Sequence, residues 1–313
     1  MQIKLYIKPL FAAFLLLAAS ICGLYLLQQG SSVDPKRLHI VATTSMIADA
    51  VNQLVEGEAK VTLLMGPGVD PHTYEPTLQD GSNLNRADLV FYNGLHLEGP
   101  MDESLNALKK KGCAYPVAEA LDSSEVLHDP NFSSAQDPHI WFDLQLWSKV
   151  VAHISRVLQE KDPSRSDFYK KNEAVYLKKL DALDQWIQQS IAKVPLKKRI
   201  LVTTHDAFAY FGRAYDVEVK SLQGISTVAT PSLQARVDLK KFILEHQLHT
   251  IFLEHGVNPK SMRAIEQDCV QLGHFVDCVY IYGDALGAAN GPAGSYIGMV
   301  TYNVQCLVKG FLE

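Results

Sequence analysis

Two triplets of identical composition, Asp70-Pro71-His72 and Asp137-Pro138-His139, each place an imidazole directly after a proline. Proline fixes its own φ, so the backbone origin of the next side chain is held steady, as a metal ligand requires. A third histidine, His205, closes the apolar run 200–204 and opens a helical pattern containing Ala207, Phe208, Tyr210 and Phe211. Asp284 follows the β-rich run 275–282, inside the glycine-bounded stretch 283–287. Three imidazoles and a carboxylate make a complete ligand set for a first-row divalent cation. A loop histidine taken alone is more often solvated than ligating. What singles these four out is their shared position after strand ends, in both halves of the chain.

Other histidines compete for the role. His39 alternates within a strand, His153 lies in an amphipathic helix, and His246 and His249 flank a helix end, so these read as structural or solvated. His96, in a strand-end loop, and His255, directly after Glu254 at another strand end, stay open as ligands. Glu254 suits an acceptor that fixes an imidazole tautomer, and Asp206 either does the same or caps its helix.

The elements that must position these groups are legible from periodicity. Residues 38–43, 61–65, 89–92 and 115–117 read as strands, alternating with helical patterns at 45–54, 101–110 and 144–159. The alternation restarts with strands at 200–203, 217–222, 250–253 and 275–282 and helices at 207–213, 233–246, 259–273 and 296–311. Units of this kind imply parallel sheets covered on both faces. The loops 66–76, 122–138 and 283–294 are rich in Gly, Pro, Asp and Ser and follow strands, the ends at which open parallel sheets bind ligands.

Between the two series, residues 163–194 predict one long helix. Asp162 is expected as its N-cap, Pro163 as its first residue and Pro195 as its stop. Tyr169, Tyr176, Leu180, Leu183, Ile187, Ile191 and Val194 recur at helical spacing, with Lys170, Lys171, Lys178, Lys179, Asp184 and Gln188 on the wet faces. Such a spine would run roughly 45 Å. The expected class is α/β: two lobes, 36–162 and 195–313, each a roughly four-stranded parallel sheet with flanking helices, joined once by the 163–194 helix. A continuous helix should resist wide hinge opening.

A chain of 313 residues, 47% hydrophobic and 20% charged, can build two cores. Its net charge of -5, with no basic run beyond 109–111 and 197–199, gives no electrostatic basis for binding nucleic acid. Lys4 and Lys8 precede the uncharged run 10–27, so residues 1–35 read as a secretory signal and the protein as exported. The run is also just long enough for an uncleaved membrane anchor. Ala19-Ser20-Ile21-Cys22 looks something like a bacterial lipoprotein box, with Ile21 where a small residue is expected. In an oxidising compartment Cys269 and Cys278 are the pair expected to bridge, for roughly 2–3 kcal/mol, with two reduced buried thiols as the alternative. Cys306, among Val304, Leu307 and Phe311, reads as packing.

At 41–49 (Val-Ala-Thr-Thr-Ser-Met-Ile-Ala-Asp), 68–76 around His72, 92–101, 137–143 around His139, 204–211 around His205, 257–260, 284–287 and 298–303, the chain resembles the metal-binding receptors of bacterial ABC importers for manganese, zinc and iron. The resemblance runs from about residue 38 to the C-terminus. It implies a C-clamp of two α/β lobes on one backbone helix, with four interlobe metal ligands matching His72, His139, His205 and Asp284. It also implies delivery of the ion to a membrane permease driven by a cytoplasmic ATPase. There are two departures. Residues 122–136 hold only His128 where zinc-specialised members carry a long His-rich loop, and His205 stands where manganese receptors often have Glu. Three nitrogens and one oxygen suit tetrahedral zinc, whereas a bidentate Asp284 would suit manganese or iron equally well.

The expected function is therefore that of a periplasmic solute-binding protein: a monomer without catalytic activity that carries one Zn2+, Mn2+ or Fe2+ ion to an importer in the inner membrane. Two alternatives remain at this stage. A metal-dependent hydrolase would use the same ligands but keep a position open for water and a general base beside it. A receptor of the same spine-linked fold for an organic ligand would not need four convergent metal-type side chains.

Overall fold

Short β-branched and aromatic runs build the first sheet. In the computed structural model, which describes residues 37–129 and 134–313, β1 (His39–Ala42), β2 (Lys60–Leu63), β3 (Leu89–Tyr92) and β4 (Ala114–Pro116) pair in parallel in the order β2-β1-β3-β4. Ile40 stands beside both Val61 and Leu89, and Val90 beside Ala114. The leader, with its alternatives of cleaved signal, anchor and lipidated Cys22, lies outside the described residues. Among those described, no helix is long and apolar enough to cross a membrane.

The crossover helices start and stop where local chemistry says they should. In α1 (Ser45–Val55) the Thr44 side chain accepts from the Ile47 amide, and the helix ends at Glu56 in a left-handed conformation. Sequence periodicity misses α2 (Leu78–Arg86), because its only buried residues are Asp80 and Leu84 and it carries no apolar stripe. Its signal is instead a reciprocal capping box between Thr77 and Asp80. The helices α3 (Asp102–Lys110) and α4 (Leu144–Lys161) complete this half.

The second half contains β5 (Ile200–Thr203), α6 (Ala209–Tyr215), β6 (Glu218–Ser221), α7 (Leu233–Glu245), β7 (Thr250–His255), α8 (Lys260–Gln271), β8 (Asp277–Tyr282) and α9 (Tyr296–Leu312), following the long helix α5 (Ser166–Ile191). All four expected strands are present and parallel. They form two hydrogen-bonded pairs, β5-β6 and β7-β8, with β5 and β7 side by side but not laddered to each other.

The long helix differs from expectation at its start and on its back. Residues Pro163–Arg165 form a separate 3-10 turn, leaving 26 residues in α5, about 39 Å of helix. Asp162 caps no helix N-terminus with its side chain. Its backbone N–H still closes α4 on the Leu158 carbonyl, and its carboxylate accepts from Ser164, Arg165 and Tyr169. Asp184, expected to be wet, is buried and accepts from Gln145 at 2.7 Å and from the Tyr215 hydroxyl at 2.7 Å. The helix is thus gripped on several sides, by α1, α4 and α9.

Residues Leu38–Glu313 make one compact unit with a core that ignores the expected boundary between halves. The largest apolar cluster runs from Ile40 and Trp147 through Tyr176 and Ile187 to Phe252 and Val304, and Trp147 stacks on Tyr296 with ring centroids 5.1 Å apart. Smaller outer cores lie around Val90 and Leu105 in the first half and around Ile251 and Ile265 in the second. The expected Cys269 to Cys278 bridge does not form: both thiols are free. Cys269 turns into the outer core, while burial and the Glu266 carboxylate beside it push the Cys278 thiol up to about 12. Cys306 packs against the main core, as its neighbours imply.

Candidate metal centre

Both Asp-Pro-His triplets fold into the same turn. In each, the aspartate carboxylate accepts from the histidine amide two residues on, His72 N to Asp70 at 2.9 Å and His139 N to Asp137 at 2.9 Å. In the second triplet Asp137 also engages the ring, lying 2.7 Å from His139 Nδ1. That contact leaves Nε2 facing the other two imidazoles. Asp70 spends its other oxygen on the Thr227 hydroxyl, 2.5 Å away in the opposite half.

His205 stands at the end of β5, and the carboxylate of Glu254 from β7 holds it twice. Its amide donates to Oε1 at 2.9 Å, and its Nδ1 lies 2.6 Å from Oε2, a close contact that is not aligned as a straight hydrogen bond. Asp284 follows β8 after Gly283. A Cβ on Gly283 would come within 2.5 Å of Glu254 Oε2, so only glycine lets the chain pass there. The Asp284 loop is pinned from outside as well, by Trp141 Nε1 donating to the Gly283 carbonyl at 3.1 Å and by the Leu286 amide donating to Ser45 Oγ at 2.8 Å.

The structure brings all four sequence-derived candidates together. One ligating atom from each of His72, His139, His205 and Asp284 lies within 4.8 Å of the others, and all four residues are buried. His139 Nε2 is 3.3 Å from Nε2 of both His72 and His205. The Asp284 oxygens stand 3.2 Å from His205, 3.5 Å from His72 and 3.6 Å from His139, yet neither makes a directed hydrogen bond. A buried carboxylate with two unused acceptors facing three imidazole nitrogens is a poor place for a neutral side chain and a good one for a cation.

Electrostatics divide the imidazoles. Burial holds His72 down to about 3, against the pull of Asp284 and helped by the neighbouring His139 and His205. Burial alone would also lower His205, but Glu254 and Asp284 overcome it and hold that ring well above its ordinary value. Asp284 is kept ionised far below the usual carboxylate range despite its burial, by His205, His139 and His72 in turn. Burial, then Asp137 nearby, raises Asp206 to about 6, and this residue provides no cap hydrogen bond to α6.

The competing histidines lie elsewhere. His255 stacks on Tyr282 with centroids 4.4 Å apart, and His96 is exposed beside Asp102. Glu254 is the acceptor the sequence suggested. Sequence reading missed Ser45, Trp141 and the pair Glu98 and Asn93. Glu98, fully buried, accepts from Thr43 Oγ1 at 2.7 Å and from the Asn93 amide at 2.7 Å, and Asn93 in turn donates its side chain to the Pro138 carbonyl at 2.9 Å, next to His139. Only tertiary contact assigns these roles, and a glutamate in a strand-end loop carries no local sign of them.

Comparison with known proteins places this arrangement in context. A family model described as zinc-uptake complex component A, periplasmic, matches residues 40–310. The manganese-binding lipoprotein MntA of Bacillus subtilis is 38% identical over 303 residues, covering 96% of this chain and 98% of that protein. The zinc-binding protein TroA of Treponema pallidum is 38% identical over 280 residues, covering 89% and 90%. The structure of the periplasmic zinc-binding TroA matches with a TM-score of 0.84 at 37% identity, over 88% of this chain and 99% of that one. Fe(III)-bound YtgA from Chlamydia trachomatis, at 24% identity and a TM-score of 0.77 over 88% of this chain and 98% of that one, shares the fold.

Proposed function

This chain belongs to the zinc-uptake component A family of periplasmic proteins, and from that premise we propose that His72, His139, His205 and Asp284 grip one divalent transition-metal ion for delivery to an ABC importer. The protein works outside the cytoplasm as a binding protein and catalyses nothing. Nothing in the site or the family supports the hydrolase alternative, since the relatives are named as binding proteins.

The observation that carries the reading is the spacing of the ligating atoms. A tetrahedral ion with bonds of about 2.0–2.1 Å has ligand-to-ligand edges of about 3.3–3.4 Å. Five of the separations, at 3.2, 3.3, 3.3, 3.5 and 3.6 Å, bracket that value, and all four groups offer atoms within 4.8 Å of one another. Three imidazole nitrogens and one carboxylate oxygen at this spacing suit zinc. A larger ion such as manganese or ferrous iron would use both Asp284 oxygens and rise to five-coordination. The names of MntA and TroA, one manganese-binding and one zinc-binding, support a cargo drawn from this group.

In its finer form the proposal has a monomer docking on a permease in the inner membrane. Its lobes are bounded at 36–162 and 195–313, and residues 163–194 lie between them. Element analysis of protein purified without added metal, followed by titration with Zn2+ and Mn2+, should give one ion per chain. Because a ligand bound only by the folded form stabilises it, metal should raise the melting temperature, and His205→Ala should remove most of that shift. An undiminished shift in the variant would put the ion elsewhere.

A further inference from the structure

His96 is the histidine that the four-residue set leaves unexplained. The loop after β3 passes through three consecutive residues with positive φ: Gly94 at 80°, Leu95 at 53° and His96 at 65°. The left-handed region suits glycine, takes histidine more readily than most side chains and is uncommon for leucine, so the surroundings help to hold it. The buried Glu98 does so, accepting from the Asn93 amide at 2.7 Å and the Gly94 amide at 3.2 Å. The result stands His96 out from the surface with its side chain 80% exposed.

Nδ1 of this exposed ring meets the carboxylate of Asp102, which leaves Nε2 as the open coordinating atom. The same arrangement, a carboxylate on Nδ1, sets His139 through Asp137, and Glu254 Oε2 lies 2.6 Å from His205 Nδ1. It is the pattern by which an outer acceptor fixes the tautomer of a metal-binding imidazole. Gly99 lies against the ring, 3.5 Å from Nε2 to the place a Cβ would take, so a larger residue there would begin to cover that nitrogen. His96, Glu75 and His72 line one cavity of about 1000 Å³, and His72 is the member of the four that reaches its wall. His96 is not in the cluster itself.

We propose that His96 is the first protein ligand of the incoming ion: it replaces one water of a hydrated divalent cation at the mouth of this cavity and passes the ion inward to His72. The proposal rests on the four-residue reading of the final site. A group that touches the ion only in transit lowers the barrier in both directions and leaves the equilibrium alone. A group in the final site changes the equilibrium, and one that merely braces the loop changes neither rate.

The test is stopped-flow binding of Zn2+ and of Mn2+ to the full chain, followed by tryptophan fluorescence, since the Trp141 ring lies 5.3 Å from that of His139. In His96→Asn, asparagine tolerates the left-handed backbone while the imidazole is lost. Association should slow on the order of fivefold, and release into excess chelator by the same factor. Asp102→Asn should move both rates the same way by less. Unchanged rates in a variant that still binds, even with a lowered melting temperature, would overturn the role of His96, as would a loss of affinity expressed in release alone. A wild-type chain that takes up no ion would overturn the four-ligand reading first, and this inference with it.

Discussion

The two halves of the molecule hold the four clustered side chains by different means. His72 and His139 sit on loops beyond a continuous four-strand ladder, each steadied by an aspartate two residues earlier in the chain. His205 and Asp284 follow β5 and β8, strands of two separate pairs, and the group that steadies His205 comes from 49 residues away, across the break between β5 and β7. The first half positions its imidazoles by local turns. The second does it by tertiary contact, so its geometry depends on how two strand pairs lie against each other.

Removing the outer carboxylates tests that contrast most strongly. Loss of such a partner typically weakens metal binding 10–100-fold. Glu254→Gln should lie at the upper end of that range and also lower the melting temperature, because the carboxylate both orients His205 and spans the break. Asp137→Asn should lie at the lower end, and Asp70→Asn, whose carboxylate accepts from the His72 amide and the Thr227 hydroxyl, should fall below both. Competition titrations against a chelator rank the three, and equal losses would erase the distinction between the halves.

Proton uptake sharpens the comparison next. In the metal-free protein Glu254 and Asp284 favour the charged form of His205, whereas burial pushes His72 to about 3 and favours its neutral form. Metal binding should therefore displace a proton from His205, in the second half, and affinity should rise with pH by up to roughly tenfold per unit until that ring titrates. Calorimetry in buffers of different ionisation enthalpy reads this directly. For stability without metal the signs oppose. The His205 contribution is complete below 6.5 and is lost as pH rises through its raised folded value. His72 costs stability as pH falls from 6.5 toward 3, since only the unfolded chain takes up its proton. The metal-free melting temperature should peak between these limbs, and a monotonic profile would contradict the assignment.

The smallest effect should come from the tie between halves. Trp141→Phe keeps most of the ring but deletes the hydrogen bond to the Gly283 carbonyl, a loss of about 1 kcal/mol. Release of the ion should then quicken by a few-fold with association little changed. Unaltered release would mean that the Leu286 to Ser45 bond holds the Asp284 loop without it.

How much of this was legible follows the same division. The Asp-Pro-His triplets could be read because proline, aspartate and histidine act within three residues, and β3 and β5 because their apolar runs are short and bounded. The helix at Leu78–Arg86 could not be read from periodicity, since it buries almost nothing apolar and its only mark is the Thr77 and Asp80 cap. A carboxylate in a lysine-rich helix usually faces water, as the pattern around Asp184 implies; Tyr215, 31 residues on, is what takes it inside. The thiol pair differs from expectation for a related reason: closeness in sequence and a shared outer core do not by themselves bring two sulfurs to bonding distance.

One feature of the interior bears on how a membrane partner could recognise the loaded molecule. Because the principal apolar seam crosses from the first sheet through the long helix into the second half, the jaws cannot swing apart without tearing a cooperative core. The occupied and vacant forms should then differ chiefly in how firmly a few strand-end segments are pinned. A transporter would sense cargo by the stiffness of those segments, and would extract it by prising one of them loose, with the body of the receptor serving as an unyielding handle.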